Sequence, residues 1–306
     1  MAHGLNTSYW EFREFLEKED ANFLYAFEAL YNINPLDDTE PWYTEAAQKR
    51  WNTIVDKKLW SKFEQVIGEP DTTAMIGLSD AVTEGMPSVG IRHHMDLYWE
   101  KEFGFISKMH DYIRRWIESI DTSNVSCKKK SLFKSDAYFL NFNYTDILEK
   151  SYCIRNVLHI HGGVNTICDI SPIIGHCNKN DIRKHREWAK EADDKFFEAQ
   201  ASVLDAVANY LETIYKDSTE IIINNQDFFE KISNVENICV FGWSGGDADR
   251  PYLKEIIQNV SDVKWNIYWY NEDDYKKLCS IFEEEGIKGN NIEYIPSSCF
   301  WDECEL

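Results

Sequence analysis

Along the first 120 residues apolar side chains recur every three or four positions, the period of a helix with one buried face. Trp10, Phe12, Phe15, Leu16, Phe23, Leu24, Phe27 and Leu30 form the first stripe, which predicts a helix over residues 7–31. Ser8 and Glu11 stand three apart at its start, the spacing of a capping box. Asn34-Pro35-Leu36-Asp37-Asp38-Thr39-Glu40-Pro41 breaks the stripe, and a second helix over 46–66 carries Trp51, Ile54, Val55, Leu59, Trp60 and Phe63. Residues 68–89, with two prolines and three glycines, read as a loop, and 95–120 as a third helix.

From residue 137 the period shortens to two. Short apolar runs predict strands near 137–142, 157–161, 171–175, 237–242, 264–270 and 292–295. Helical spacing separates them at 184–215, 251–260 and 273–285. Strand and helix in alternation are the rhythm of a parallel sheet. The expected architecture is a single domain over 1–306, with a mainly helical region at 7–120 and a doubly wound α/β core at 135–300 that carries a long helical insertion at 184–233.

Composition narrows the partners. Hydrophobic residues make up 43% and aromatics 14%, ample for a packed core, so a disordered chain is excluded. Against 32 Lys and Arg stand 53 Asp and Glu, and a net charge of -21 repels phosphate backbones, so no bulk nucleic acid is expected as a partner. Eight cysteines without any C-x-x-C pair fit reduced thiols in a cytoplasmic protein. No run of about eighteen apolar residues and no leader pattern occurs, so no membrane span is expected.

The chemistry gathers where apolar runs stop. Tyr138-Phe139-Leu140 breaks into Asn141-Phe142-Asn143-Tyr144-Thr145-Asp146, and Val157-Leu158-His159-Ile160-His161 ends at Gly162-Gly163. In an open parallel sheet ligands bind outside the carboxyl ends of the strands, which makes Asn143 and His161 candidates for one site. Asn143 is also an ordinary turn former or helix cap, and His161 an ordinary strand-end histidine. A third candidate is Gly242-Trp243-Ser244-Gly245-Gly246-Asp247-Ala248-Asp249-Arg250-Pro251, where Gly242 and its neighbours allow backbone N–H groups to approach a phosphate or ribose. A tight strand-to-helix connection with Asp249 as cap explains it as well. Neither G-x-G-x-x-G nor a P-loop is present. No histidine follows Ser244, so a hydrolase triad is disfavoured. His159, His161, Cys168, His176, Cys177 and His185 fall close together but in no zinc spacing, and no metal is expected.

Taken in order, the motifs resemble the bacteriophage abortive infection AbiH family. They are A-H-G-L-N-T-S-Y-W-E-F at 2–12, N-F-N-Y-T at 141–145, H-I-H-G at 159–162, I-I-G-H at 173–176 and G-W-S-G-G-D-A-D-R-P-Y at 242–252. That family in turn resembles a distant branch of the sirtuin-like, Rossmann-like α/β fold, whose members bind or cleave NAD. The resemblance implies catalytic roles for His161 and Asn143 and nucleotide contacts from Gly242, Ser244 and Asp249. It also implies NAD as substrate or ligand, and a phage or host protein as trigger. Family members carry an apolar strand and a Gly-rich turn ahead of the segment matching Ala2-His3-Gly4-Leu5, so a sheet lacking its first strand and an impaired activity are expected. Trp243 stands where the family commonly has His, and Thr145 where sirtuins carry Asp. The same fold could also serve as a non-catalytic phage-sensing or protein-interaction module.

Overall fold

Ser8 opens the first helix as its spacing predicts. Its Oγ accepts the Glu11 N–H at 3.5 Å, and Glu11 Oε2 accepts the Ser8 N–H at 3.1 Å. Helix α1 (Tyr9–Glu19) follows, and Asp20 then leaves helical backbone. The Asp20 side chain accepts the Phe23 N–H at 3.0 Å and begins α2 (Ala21–Ala29), so the predicted helix over 7–31 is two helices with a shared cap between them.

The structure, a computed structural model, describes residues 5, 7–33, 44–87, 89–125, 136–164, 170–287 and 289–301. The predicted break at 34–41, the motif residues 2–4, and Cys127, Cys168 and Cys304 lie outside them. The chain divides into two compact units, Met1–Thr122 with His161–Lys216, and Ser123–Ile160 with Asp217–Leu306.

The first unit is helical: α1, α2, α3 (Glu45–Lys58), α4 (Thr72–Thr83), α5 (Ile91–Phe103), α6 (Met109–Glu118), α7 (Lys179–Asp194) and α8 (Glu198–Thr213). Phe12, Phe27, Trp60 and Phe63 fill its centre, with Trp60 and Phe63 stacked at 5.1 Å. Glu28 lies beside these rings, accepting from Arg13 Nε and Trp60 Nε1 at 2.7 Å each. Three expectations are corrected. The loop predicted at 68–89 contains α4, because Asp71 caps it through the Ala74 N–H and Met75 and Ser79 turn inward. The helix predicted at 95–120 is interrupted by a 3-10 turn at Gly104–Lys108. The helix predicted at 184–215 is the pair α7 and α8, which pack on each other and are joined through Phe196 at a positive φ of 60°.

The strand predicted at 171–175 is not formed either. Gly162, at φ 75°, lets the backbone of Ser171 approach so closely that a Cβ would stand 2.4 Å from its carbonyl oxygen. The returning segment bonds to that turn instead of to a sheet, Gly163 N to Ile170 O and Ile173 N to His161 O, both at 2.8 Å.

The second unit is α/β. Strand β1 (Phe139–Asn141) runs parallel to β2 (Val157–His159), and β3 (Asn237–Phe241), β4 (Lys264–Trp269) and β5 (Ile292–Pro296) form a second parallel sheet. Helices α9 (Ser218–Asn224), α10 (Gln226–Lys231), α11 (Arg250–Asn259), α12 (Glu272–Glu284) and α13 (Ser297–Trp301) complete it. The protein is therefore mixed α/β and mostly helical, and among the described residues its strands make sheets of two and three members in place of one continuous sheet. Leu140, Phe142, Leu158 and Ile160 pack with Phe229, Ile232 and Tyr252, while Trp265, Ile267 and Phe282 centre the other core. Ile256 and Val260, on and just after α11, touch both. Among the described residues no helix is long and apolar enough to cross a membrane.

Removing Glu28 takes the acceptor from Trp60 and leaves the buried Arg13 only Glu17, which is itself half-exposed, as counter-ion. Glu28→Leu is expected to cost about 3–5 kcal/mol in chemical denaturation, and Arg13→Met in the same chain to recover most of it.

Candidate functional site

Parallel pairing places Asn141 directly beside His159. Their neighbours Leu140, Leu158 and Ile160 turn into the apolar core, so period-two alternation sends Asn141 and His159 to the opposite face. Both are buried. Asn141 Oδ1 accepts the Asn143 N–H at 3.0 Å and the Asn143 Nδ2 at 3.3 Å, which is a local turn closed by a side chain. His159 Nδ1 lies 2.8 Å from the Asn143 carbonyl oxygen and 3.5 Å from Asn141 Nδ2. On its other side His159 Nε2 lies 2.8 Å from Glu149 Oε1, on the helical turn Ile147–Lys150. Asn143 is thus clamped from both sides while remaining exposed. Both ring nitrogens of His159 thus face oxygen acceptors, and Glu149 closes the network on the Nε2 side.

His161 belongs to the first unit. It is 2% exposed, with Nδ1 3.5 Å from Lys216 Nζ. Lys216, itself buried, also reaches Glu64 Oε2 at 3.5 Å, and Glu64 accepts from Tyr9 Oη. Burial first, and the Lys216 charge second, hold the His161 ring well below the ordinary histidine pKa of 6.5. It is therefore neutral at neutral pH. His176 is depressed too, mainly by burial, but its ring is fully occupied, Nε2 donating to Leu211 O at 2.9 Å and Nδ1 accepting the Asn178 N–H at 3.1 Å. Its role is structural.

The glycine-rich turn lies after β3. Gly242 and Gly245 adopt positive φ, 67° and 62°. Ser244 is exposed, and its carbonyl accepts from Lys277 Nζ at 2.7 Å. Asp249 precedes α11 without a side-chain cap bond, which corrects the capping expectation: its N–H closes a 3-10 turn onto Gly246 O at 3.0 Å instead. Among the described residues no group of three His, Cys, Asp or Glu is placed to hold a metal ion.

A family model described as bacteriophage abortive infection AbiH matches residues 1–269. The chain belongs to the AbiH family. No curated protein and no solved structure matches this AbiH protein. Sequence spacing brought forward Asn143 and His161 but passed over Asn141, Glu149, Lys216 and Glu64, and weighed His159 only as a metal ligand. One signal was available in this AbiH chain: Glu149 follows Asn143 by six positions, on the first turn of the next helix, where it can reach back to a strand end.

The folded pKa values of His161 and His176 lie below 6.5, so their contribution to stability is complete above that pH and is lost as the pH falls. Lys216→Met is expected to raise the His161 titration midpoint toward 6.5, read by NMR of the ring, and to lessen the loss of thermal stability between pH 7.5 and about 5.5.

Proposed function

We propose that this AbiH protein acts in abortive infection by binding a nucleotide such as NAD and hydrolysing it at the nicotinamide–ribose bond. Nicotinamide leaves with the bonding electron pair, water adds to the ribose carbon, and the released proton passes to a base. The transition state resembles an oxocarbenium ion, so orientation and one base supply most of what the reaction needs. The observation that carries this reading is His161, a buried ring kept uncharged beside Lys216. His161 is assigned the base. Asn143, held by Asn141 and His159, is assigned the orientation of the ribose or the water. Gly242 and Ser244 are assigned the adenosine side, and Asp249 a ribose hydroxyl.

Nicotinamide release from NAD by the purified protein tests it. His161→Ala is expected to lower the rate by about 10²–10⁴. Release that persists unchanged in the variant would overturn the assignment.

A second reading, a phage-sensing or protein-interaction module, is favoured by the connection between α7 and α8. Phe196 is 86% exposed at a positive φ, and Phe197 and Val89 are exposed as well. Arg92 ties these segments together through Asp193 and Glu198. An aromatic residue held in the left-handed region costs about 1–2 kcal/mol, and here no burial offsets it. The acidic flanks suit a phage or host protein with a basic-rimmed apolar pocket. On this reading Phe196→Gly keeps or raises thermal stability while phage protection in cells is lost; protection retained would remove the reading.

A further inference from the structure

One oxygen of Glu149 is left over. The side chain is nine-tenths buried, Oε1 is engaged by His159, and Oε2 is also buried but meets no hydrogen-bond donor among the described residues. A buried carboxylate oxygen without a donor is costly, so something must serve it when the protein works. The surroundings are held in place: His159 is fixed by the β1–β2 ladder and by the Asn143 carbonyl, and Asn143 is fixed by Asn141. Asn143 is also the member of this network exposed to solvent.

We propose that Glu149 Oε2 is the acceptor for a sugar hydroxyl, so that this site selects ribose ligands over deoxyribose ones; this rests on the nucleotide reading above. The chemistry of the pair decides among donors. His159 already engages one oxygen of Glu149, so a single buried acceptor is left, too little for an ammonium group, which brings three donors. A metal ion would need further ligands, and among the described residues no such group is placed. A neutral O–H donor needs only one acceptor of high basicity, and a bond of this kind to a carboxylate is among the stronger ones.

The test is calorimetric binding of NAD, its 2′- and 3′-deoxy forms, ribose 5-phosphate and 2-deoxyribose 5-phosphate to the wild-type protein and to Glu149→Gln. The isosteric amide keeps an oxygen for His159, and the deoxy ligands put the question to the wild-type chain without any variant. We expect loss of one hydroxyl to weaken wild-type binding by about tenfold to a hundredfold, and Glu149→Gln to bind ribose and deoxyribose forms alike. If NAD does not bind but ribose 5-phosphate is preferred over its deoxy form, the NAD reading falls and the Glu149 assignment stands. If NAD binds and both of its deoxy forms bind equally well, the Glu149 assignment falls and the NAD reading stands. Discrimination that survives in Glu149→Gln overturns it too, and no binding of any of the five overturns both.

Discussion

Three residues of parallel pairing carry the polar end of the second unit. Phe139, Leu140 and Asn141 stand against Val157, Leu158 and His159, and packing of the half-buried leucines on the apolar core sets the register. A slip by one position would bring Asn141 or His159 into the apolar cluster around Phe229 and Tyr252, where neither could find the partners it now has. The same hydrophobic demand that pairs the strands therefore delivers a histidine and an asparagine, side by side, to the face where Asn143 turns and Glu149 reaches back. The polar network needs no separate organiser.

The two histidines that close this stretch of sequence are set in opposite electrostatic surroundings. His159 faces a carboxylate and a carbonyl, both acceptors. His161 faces an ammonium group and is almost wholly removed from solvent, which favours a ring carrying one. Residues two apart in the chain thus divide acceptor and donor duties by their neighbours alone. A histidine count would treat them as equivalents.

Much of the fold was legible because each strand carries its own apolar run. β1 to β5 fall where period-two spacing put them, since short buried strands need little beyond branched and aromatic side chains bounded by turns. The helix interruptions were harder to see. Asp20 fits helical spacing and shows its effect only when its side chain finds the Phe23 N–H, and Phe196 continues an apolar stripe that the backbone in fact leaves. Helix α4 was hidden by Gly68, Pro70, Gly85 and Pro87 near its edges and by Gly77 within it. At the site, Asn143 and His161 were visible because they interrupt apolar runs. Glu149 and Lys216 were not, because a lone charge, on a helical turn or between helices, looks like any solvated charge until a distant partner removes it from water.

Helix α11 has a thermodynamic consequence. Tyr252 sits in the core behind β1 and β2, Leu253 in the core behind β4, and Ile256 contributes to both. Two sheets that share no strand pairing among the described residues still share this helix, so neither can open without exposing apolar surface that belongs to the other. Amide protection against solvent exchange in β1 and β2 should consequently rise and fall with that in β4, and the strands that hold Asn141 and His159 borrow the endurance of a larger sheet than their own.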